Sequence, residues 1–142
     1  MKRAVVLGAV LSVCLAGTAF SEDPILDRQA MMKNTGAAAG AGAKIMKGEA
    51  DFDLTTAQLI LRTMNNSALG FGYMFPAGSE TGHKTRAAQA IWDDAAGFQA
   101  AVTQFVTDTS AQVTDEASFK AAFGAATKNC GTCHESYRTA QQ

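Results

Sequence analysis

Apolar side chains along the chain recur at helical spacing, and no stretch of useful length alternates as a strand would. Asp23-Pro24 pairs a cap residue with a proline suited to the first helical position. From there Ile25, Met32, Ala39 and Met46 recur every seven residues, with Gln29, Gly36 and Ala43 between them. This stripe predicts a first helix that ends near Lys47-Gly48, a cation followed by a C-terminal glycine. Its middle is unusually small. Leu54, Ala57, Leu61, Met64 and Ala68 predict a second helix over about 54–69, after which "GFGYMFPAGSETGH" is too rich in glycine to continue. A third helix is expected over roughly 84–109, with Ala88, Ile91, Ala95, Phe98, Val102 and Phe105 on one face. A fourth begins around Asp115-Glu116 and turns Phe119, Phe123, Ala126, Cys130, Cys133 and Tyr137 inward. Four amphipathic helices in about 120 residues predict an all-α, antiparallel four-helix bundle.

Residues 1–21 stand apart from this pattern. Lys2 and Arg3 precede the apolar run "AVVLGAVLSVCLAG", and "TAFSED" offers small residues for cleavage after Ala19 or Ser21. The run is short for a bilayer span of about 20 residues. Val13 before Cys14 also argues against a lipid anchor there. We therefore expect a signal peptide over 1–21 and one bundle domain over 22–142. Export would carry Cys14 away and leave only Cys130 and Cys133.

Composition agrees with helices. The chain has 13 glycines, two prolines (Pro24 and Pro76), many alanines and long stretches free of β-branched runs. Removal of Lys2 and Arg3 leaves 10 basic against 13 acidic side chains, a charge of −3 with histidines neutral. Without a Lys/Arg cluster there is no electrostatic footprint for nucleic acid. No second apolar segment is long enough to span a membrane, so the exported form is expected to be free of the membrane.

The chemistry concentrates in "KNCGTCHESYR". Cys130 and Cys133 share a face of the fourth helix, and His134 lies one turn from Cys130. Two sulfurs so placed reach the two vinyl groups of one porphyrin edge while the imidazole comes up beneath the metal, which is why C-x-x-C-H attaches c-type haem. A thioredoxin-like dithiol needs its first cysteine at a helix N-terminus after a strand, and here a long helical stretch precedes Cys130. Zinc would need a fourth ligand, and His83 is distant in sequence. A plain disulfide is the remaining alternative, though it leaves His134 unexplained. A haem would also give Gly36, Ala39, Gly40, Ala41 and Ala43 a purpose, since a flat ring fits a bundle only where facing side chains are cut back.

Together these features resemble the class II c-type cytochromes, the cytochrome c prime family. The resemblance covers the whole chain after residue 21, through "DRQAMM", "KGEADFD", "FPAGSE", "AIWDDAAGF" and the C-terminal "CGTCHESYR". It implies one covalent haem c, with thioethers at Cys130 and Cys133 and His134 as the proximal ligand. Arg138 would lie by that imidazole, and Arg28 and Gln29 would contact the haem and its propionates. Glu80 matches a loop position near the haem edge. Phe75 and Trp92 are expected in the core and His83 in solvent.

Met32 matches the position that faces the distal side of the iron. Low-spin members of the family use a methionine there as sixth ligand and carry electrons. Other members leave the iron five-coordinate and bind NO or CO. The run "RQAMMKNTG" followed by "KGE" is closer to the low-spin branch, and a thioether ligand raises the reduction potential. Met31 is the lesser candidate. The expected function is therefore that of a periplasmic carrier of single electrons. The alternative is an open-faced protein holding a small gas. No distal His or Arg pair suggests acid–base machinery, so no enzyme is expected. Partners would be redox proteins or small gases, and the resemblance also implies a homodimer through the first two helices.

Overall fold

A computed structural model describes residues 23–140; the expected signal peptide and the first residue and last two residues of the expected bundle domain lie outside that range. The helices are α1 (Pro24–Met46), α2 (Leu54–Phe71), the single turn α3 (Ala90–Asp93), α4 (Ala95–Thr109) and α5 (Glu116–Tyr137). The described residues form no named strand. None of the described helices is long and apolar enough to cross a membrane.

Each of the four long helices starts on an aspartate whose carboxylate accepts from backbone N–H groups that the helix leaves unpaired. Asp23 Oδ1 accepts from Ile25 N at 2.9 Å, Asp53 Oδ2 from Thr56 N at 2.7 Å and Asp94 Oδ1 from Gly97 N at 3.1 Å. Asp115 forms a reciprocal box with Ser118, accepting from its N–H at 2.7 Å while Ser118 Oγ accepts from Asp115 N at 3.0 Å. Gly48, at φ +71°, follows the C-cap of α1 in a backbone region that side chains avoid.

The expected third helix over 84–109 is corrected by this capping. Residues 84–89 are not helical, and the helical pattern is cut at Asp94, whose backbone (φ −123°, ψ 56°) leaves the helix so that its carboxylate can cap α4. The segment before α3 pairs instead with the end of α5. Ala88 N donates to Tyr137 O at 3.0 Å, Thr139 N to Arg86 O at 2.9 Å, and Ala87 bridges Arg138.

α1 packs along α2, α2 against α4, and α4 along α5. By contrast α1 meets α5 sparingly and does not approach α4. The core accordingly divides in two. One end is filled by Ile45, Ile60, Leu61, Met64, Phe119 and Phe123, with Phe119 and Met64 wholly enclosed. The other end holds Ile91, Phe98 and Val102 with the flanking rings of Phe71, Phe75, Trp92 and Tyr137.

The packed face of α1 consists of Ile25, Arg28, Thr35, Ala38, Gly42 and Ile45. Past Ile25 this face lies about one residue before the predicted stripe, and Met46 is 40% exposed. Gln29, Met32, Gly36 and Ala39 of that stripe instead line a cavity. Gly40 and Ala41, expected to serve the haem, face a separate surface hollow with Lys44 and Asp51, because they sit on the outer side of α1. Close helix approach falls to Gly42, where a Cβ would meet Phe123 Cζ at 2.6 Å and Cδ2 at 2.8 Å. Gly42→Ala is therefore expected to lose about 1–2 kcal/mol in denaturant unfolding, the overpacking outweighing an alanine's helix gain of about 1 kcal/mol. Gly40→Ala, with nothing within 4 Å of its Cβ, should gain stability in the same measurement.

Candidate functional site

Where α1 stands away from α4 and α5, a cavity of about 550 Å³ opens between them. Its volume lies in the range of about 300–1,000 Å³ typical of cofactor and small-molecule sites. α5 contributes Cys130, Cys133 and His134 to one wall, and α1 contributes Arg28, Gln29, Met32, Gly36 and Ala39 to another. Phe71, Phe75, Ile91, Phe98 and Val102 make much of the remainder apolar, and Lys84, Arg86 and Arg138 stand among the lining residues.

The rings are held in edge-to-face contact, Phe75 to Phe98 at 4.8 Å and Phe98 to Tyr137 at 5.3 Å between centroids. Tyr137 in turn donates to Asp94 Oδ2 at 2.8 Å. Thus the aspartate that interrupts the predicted third helix also anchors the last turn of α5, the turn that carries His134.

Burial sets the protonation of the α5 groups. It pushes both thiols up from their ordinary value, and at Cys133 the neighbouring Cys130 adds to the rise while Arg138 opposes it. Both are therefore thiols, not thiolates, near neutrality, contrary to what a nucleophilic dithiol requires. Burial, then the positive charges of Arg138 and Arg86, hold the His134 imidazole below its ordinary value. A neutral imidazole is the form that binds a metal. Among the described residues no group of three or more His, Cys, Asp or Glu side chains is arranged to hold a metal ion.

Arg28 is 3% exposed. Its Nη1 donates to Met74 O and Ser79 Oγ, both at 3.0 Å, and its Nη2 to Ser79 O at 2.7 Å and Thr85 Oγ1 at 2.9 Å. The guanidinium also lies 4.7 Å from the Phe75 ring centroid. Among the described residues no carboxylate comes within ion-pair distance of it. A buried cation without a counter-charge is costly, and a haem propionate entering the cavity beside it would supply one. This, the two thiols on one helix face and the neutral imidazole are the respects in which the residues present fit a covalent haem.

Of the candidates named from sequence, Arg28, Gln29, Met32, Cys130, Cys133, His134 and Arg138 all fall on this cavity. Gln29 Nε2 reaches out of it, donating to His83 O at 2.9 Å. Glu80 is not on the lining; its Oε1 accepts from Gly78 N at 3.1 Å within the connection. His83 is exposed as expected, and its Nε2 pairs with Asp23 Oδ2 at 2.8 Å. Phe75 proves to be both core and cavity wall. Lys84 and Arg86 were not singled out by sequence, because single cations in an irregular segment carry no periodic signal.

Met31 and Met32 separate cleanly. The Met31 Cε is 2.9 Å from where a Cβ on Gly70 would stand, so this side chain packs on α2. Met32 lines the cavity. Among the described residues, it is, apart from His134, the only thioether or imidazole to do so.

Comparison with known proteins agrees with the site. The family model described as Cytochrome C' matches residues 23–138. The chain is 37% identical over 143 aligned residues to cytochrome c-556 of Agrobacterium fabrum, covering 97% of each. It is 35% identical over 142 residues to cytochrome c' of Rhodopseudomonas palustris, again with 97% of each covered. A solved structure of cytochrome c' from Rhodopseudomonas palustris superposes with a TM-score of 0.80 at 34% identity, over 85% of this chain and 99% of that one. With its bundle and its C-x-x-C-H cavity wall, the chain belongs to the cytochrome c' family and is a haem protein with covalently attached haem c.

Proposed function

We propose that the protein is a periplasmic carrier of single electrons, its iron held by His134 on one side and Met32 on the other. The observation that carries this reading is the separation of the two methionines, with Met31 committed to α2 and Met32 to the cavity. Relatives named cytochrome c-556 and cytochrome c' stand at nearly equal identity, so the choice rests on that side chain.

When bound, haem c supplies a one-electron iron couple whose potential follows from axial ligation and surroundings. This chain's residues do the rest. Cys130 and Cys133 form the thioethers and fix the ring to α5. His134 stays neutral through burial and the nearby Arg138 and Arg86 charges, and so keeps its lone pair for the metal. Phe71, Phe75, Phe98 and Val102 exclude water and lower the local dielectric. Arg28 offers charge to a propionate while its hydrogen bonds hold the connection closed. Gln29 bonds the His83 carbonyl and steadies the same edge. We assign Glu80 to the loop, within electrostatic reach of Arg28, and not to the cofactor.

The signal-like residues 1–21 support export to the periplasm. Redox proteins are the expected partners, and no substrate is turned over. Exposed Leu59 and Leu69 on α2, with Leu26 and Met46 on α1, support a homodimer through the first two helices.

Absorption spectroscopy of the holoprotein tests the reading. A low-spin spectrum in both oxidation states, unchanged by CO, is expected. High-spin features with ready CO binding would replace it by the open-faced, gas-holding alternative.

A further inference from the structure

We propose that Arg86 is a potential-setting residue, a second fixed cation on the His134 side of the haem that favours the reduced iron. The inference rests on His134 as axial ligand and is independent of which group occupies the opposite side.

The geometry comes from how residues 84–89 are tied down. Arg86 Nε and Nη2 both donate to Thr139 O, at 3.1 and 2.7 Å, and Thr139 N donates back to Arg86 O at 2.9 Å. With Ala88 N on Tyr137 O, these bonds clamp the segment across the C-terminal end of α5. Arg86 is thereby half-buried on the same cavity lining as Cys133, His134 and Arg138. A forked guanidinium gripping one carbonyl has little freedom to swing into solvent. Arg138 itself is exposed, so its charge is better screened. Reduction removes one positive charge from the iron, so a fixed cation nearby destabilises the oxidised form more than the reduced form.

The test is a spectroelectrochemical titration of the holoprotein at low and high salt, with Arg86→Gln, Arg86→Lys and Lys84→Gln. At the wild-type midpoint, Arg86→Gln is expected to raise the oxidised-to-reduced ratio about fivefold, the order expected of one unit charge in a half-buried place. Arg86→Lys should stay near wild type. The Lys84→Gln effect should be smaller and should vanish in high salt, because Lys84 is exposed. An unchanged ratio in Arg86→Gln would overturn the proposal. So would an equal shift in Arg86→Lys, which would assign the effect to the Thr139 fork and not to the charge. Failure of the His134 reading is distinguishable, because it would show in the wild-type absorption spectrum before any variant is titrated.

Discussion

Met32→Ala holoprotein is expected to be high-spin and to bind CO where the parent does not, with a reduction potential that falls as the thioether is lost. The size of the spectral change matters because the packing change is modest. Met32 is half-buried at the cavity edge, so truncation should cost less than the 2–5 kcal/mol of a fully buried methionine. Two companions separate ligation from packing. Met32→Leu keeps nearly the same volume without sulfur and should give the same high-spin spectrum as alanine. Met31→Ala removes a side chain that packs at Gly70, and should lower stability while leaving the spectrum low-spin. A Met32→Leu protein that stays low-spin and refuses CO would show that the methionine only fills space.

Met32 stands out only in the fold, because a sequence displays some kinds of order and not others. The number of long helices, the aspartate starts of α1 and α5, and the haem motif are all legible, because each depends on residues within a turn or two of one another. The direction of α1 is not. Both its packed face and its cavity face carry small and apolar side chains, so a seven-residue repeat through Met32 and Ala39 looks like a core stripe when it is a cavity wall. Asp94 was absorbed into a continuous third helix because its two partners are of different kinds. Gly97 N is local, but the Tyr137 hydroxyl is 43 residues away. The Arg86 fork spans 53 residues and the Arg28 bonds span 46 to 57. Hydrogen bonds of that separation leave no period to read. The family resemblance marked Arg28 as a haem contact, and the fold adds its second task of closing the connection.

Arg28→Leu is expected to cost about 3–5 kcal/mol in denaturant unfolding of the holoprotein, the largest stability loss we anticipate from any surface-distant polar position. Ser79 is 4% exposed, so its carbonyl, left without Nη2, has no water to replace the bond. Met74 O and Thr85 Oγ1 lose the same donor group, and Phe75 loses the cation over its ring. Because Lys84 directly precedes Thr85, Arg86 and Ala87 directly follow it, and all three line the cavity, a loosened connection should also be cut faster by protease than the parent. A loss below about 1 kcal/mol would mean that the connection is held by its own turns and not by the guanidinium. Arg28→Lys separates charge from geometry. A single ammonium cannot reproduce two donors on each of two nitrogens, so the lysine protein should recover less than half of the lost stability. It should nevertheless keep the reduction potential near that of the parent, since the buried positive charge is preserved, whereas Arg28→Leu should lower it. A lysine protein as stable as the parent would instead make the charge, rather than the four-way fork, the feature that closes the cavity.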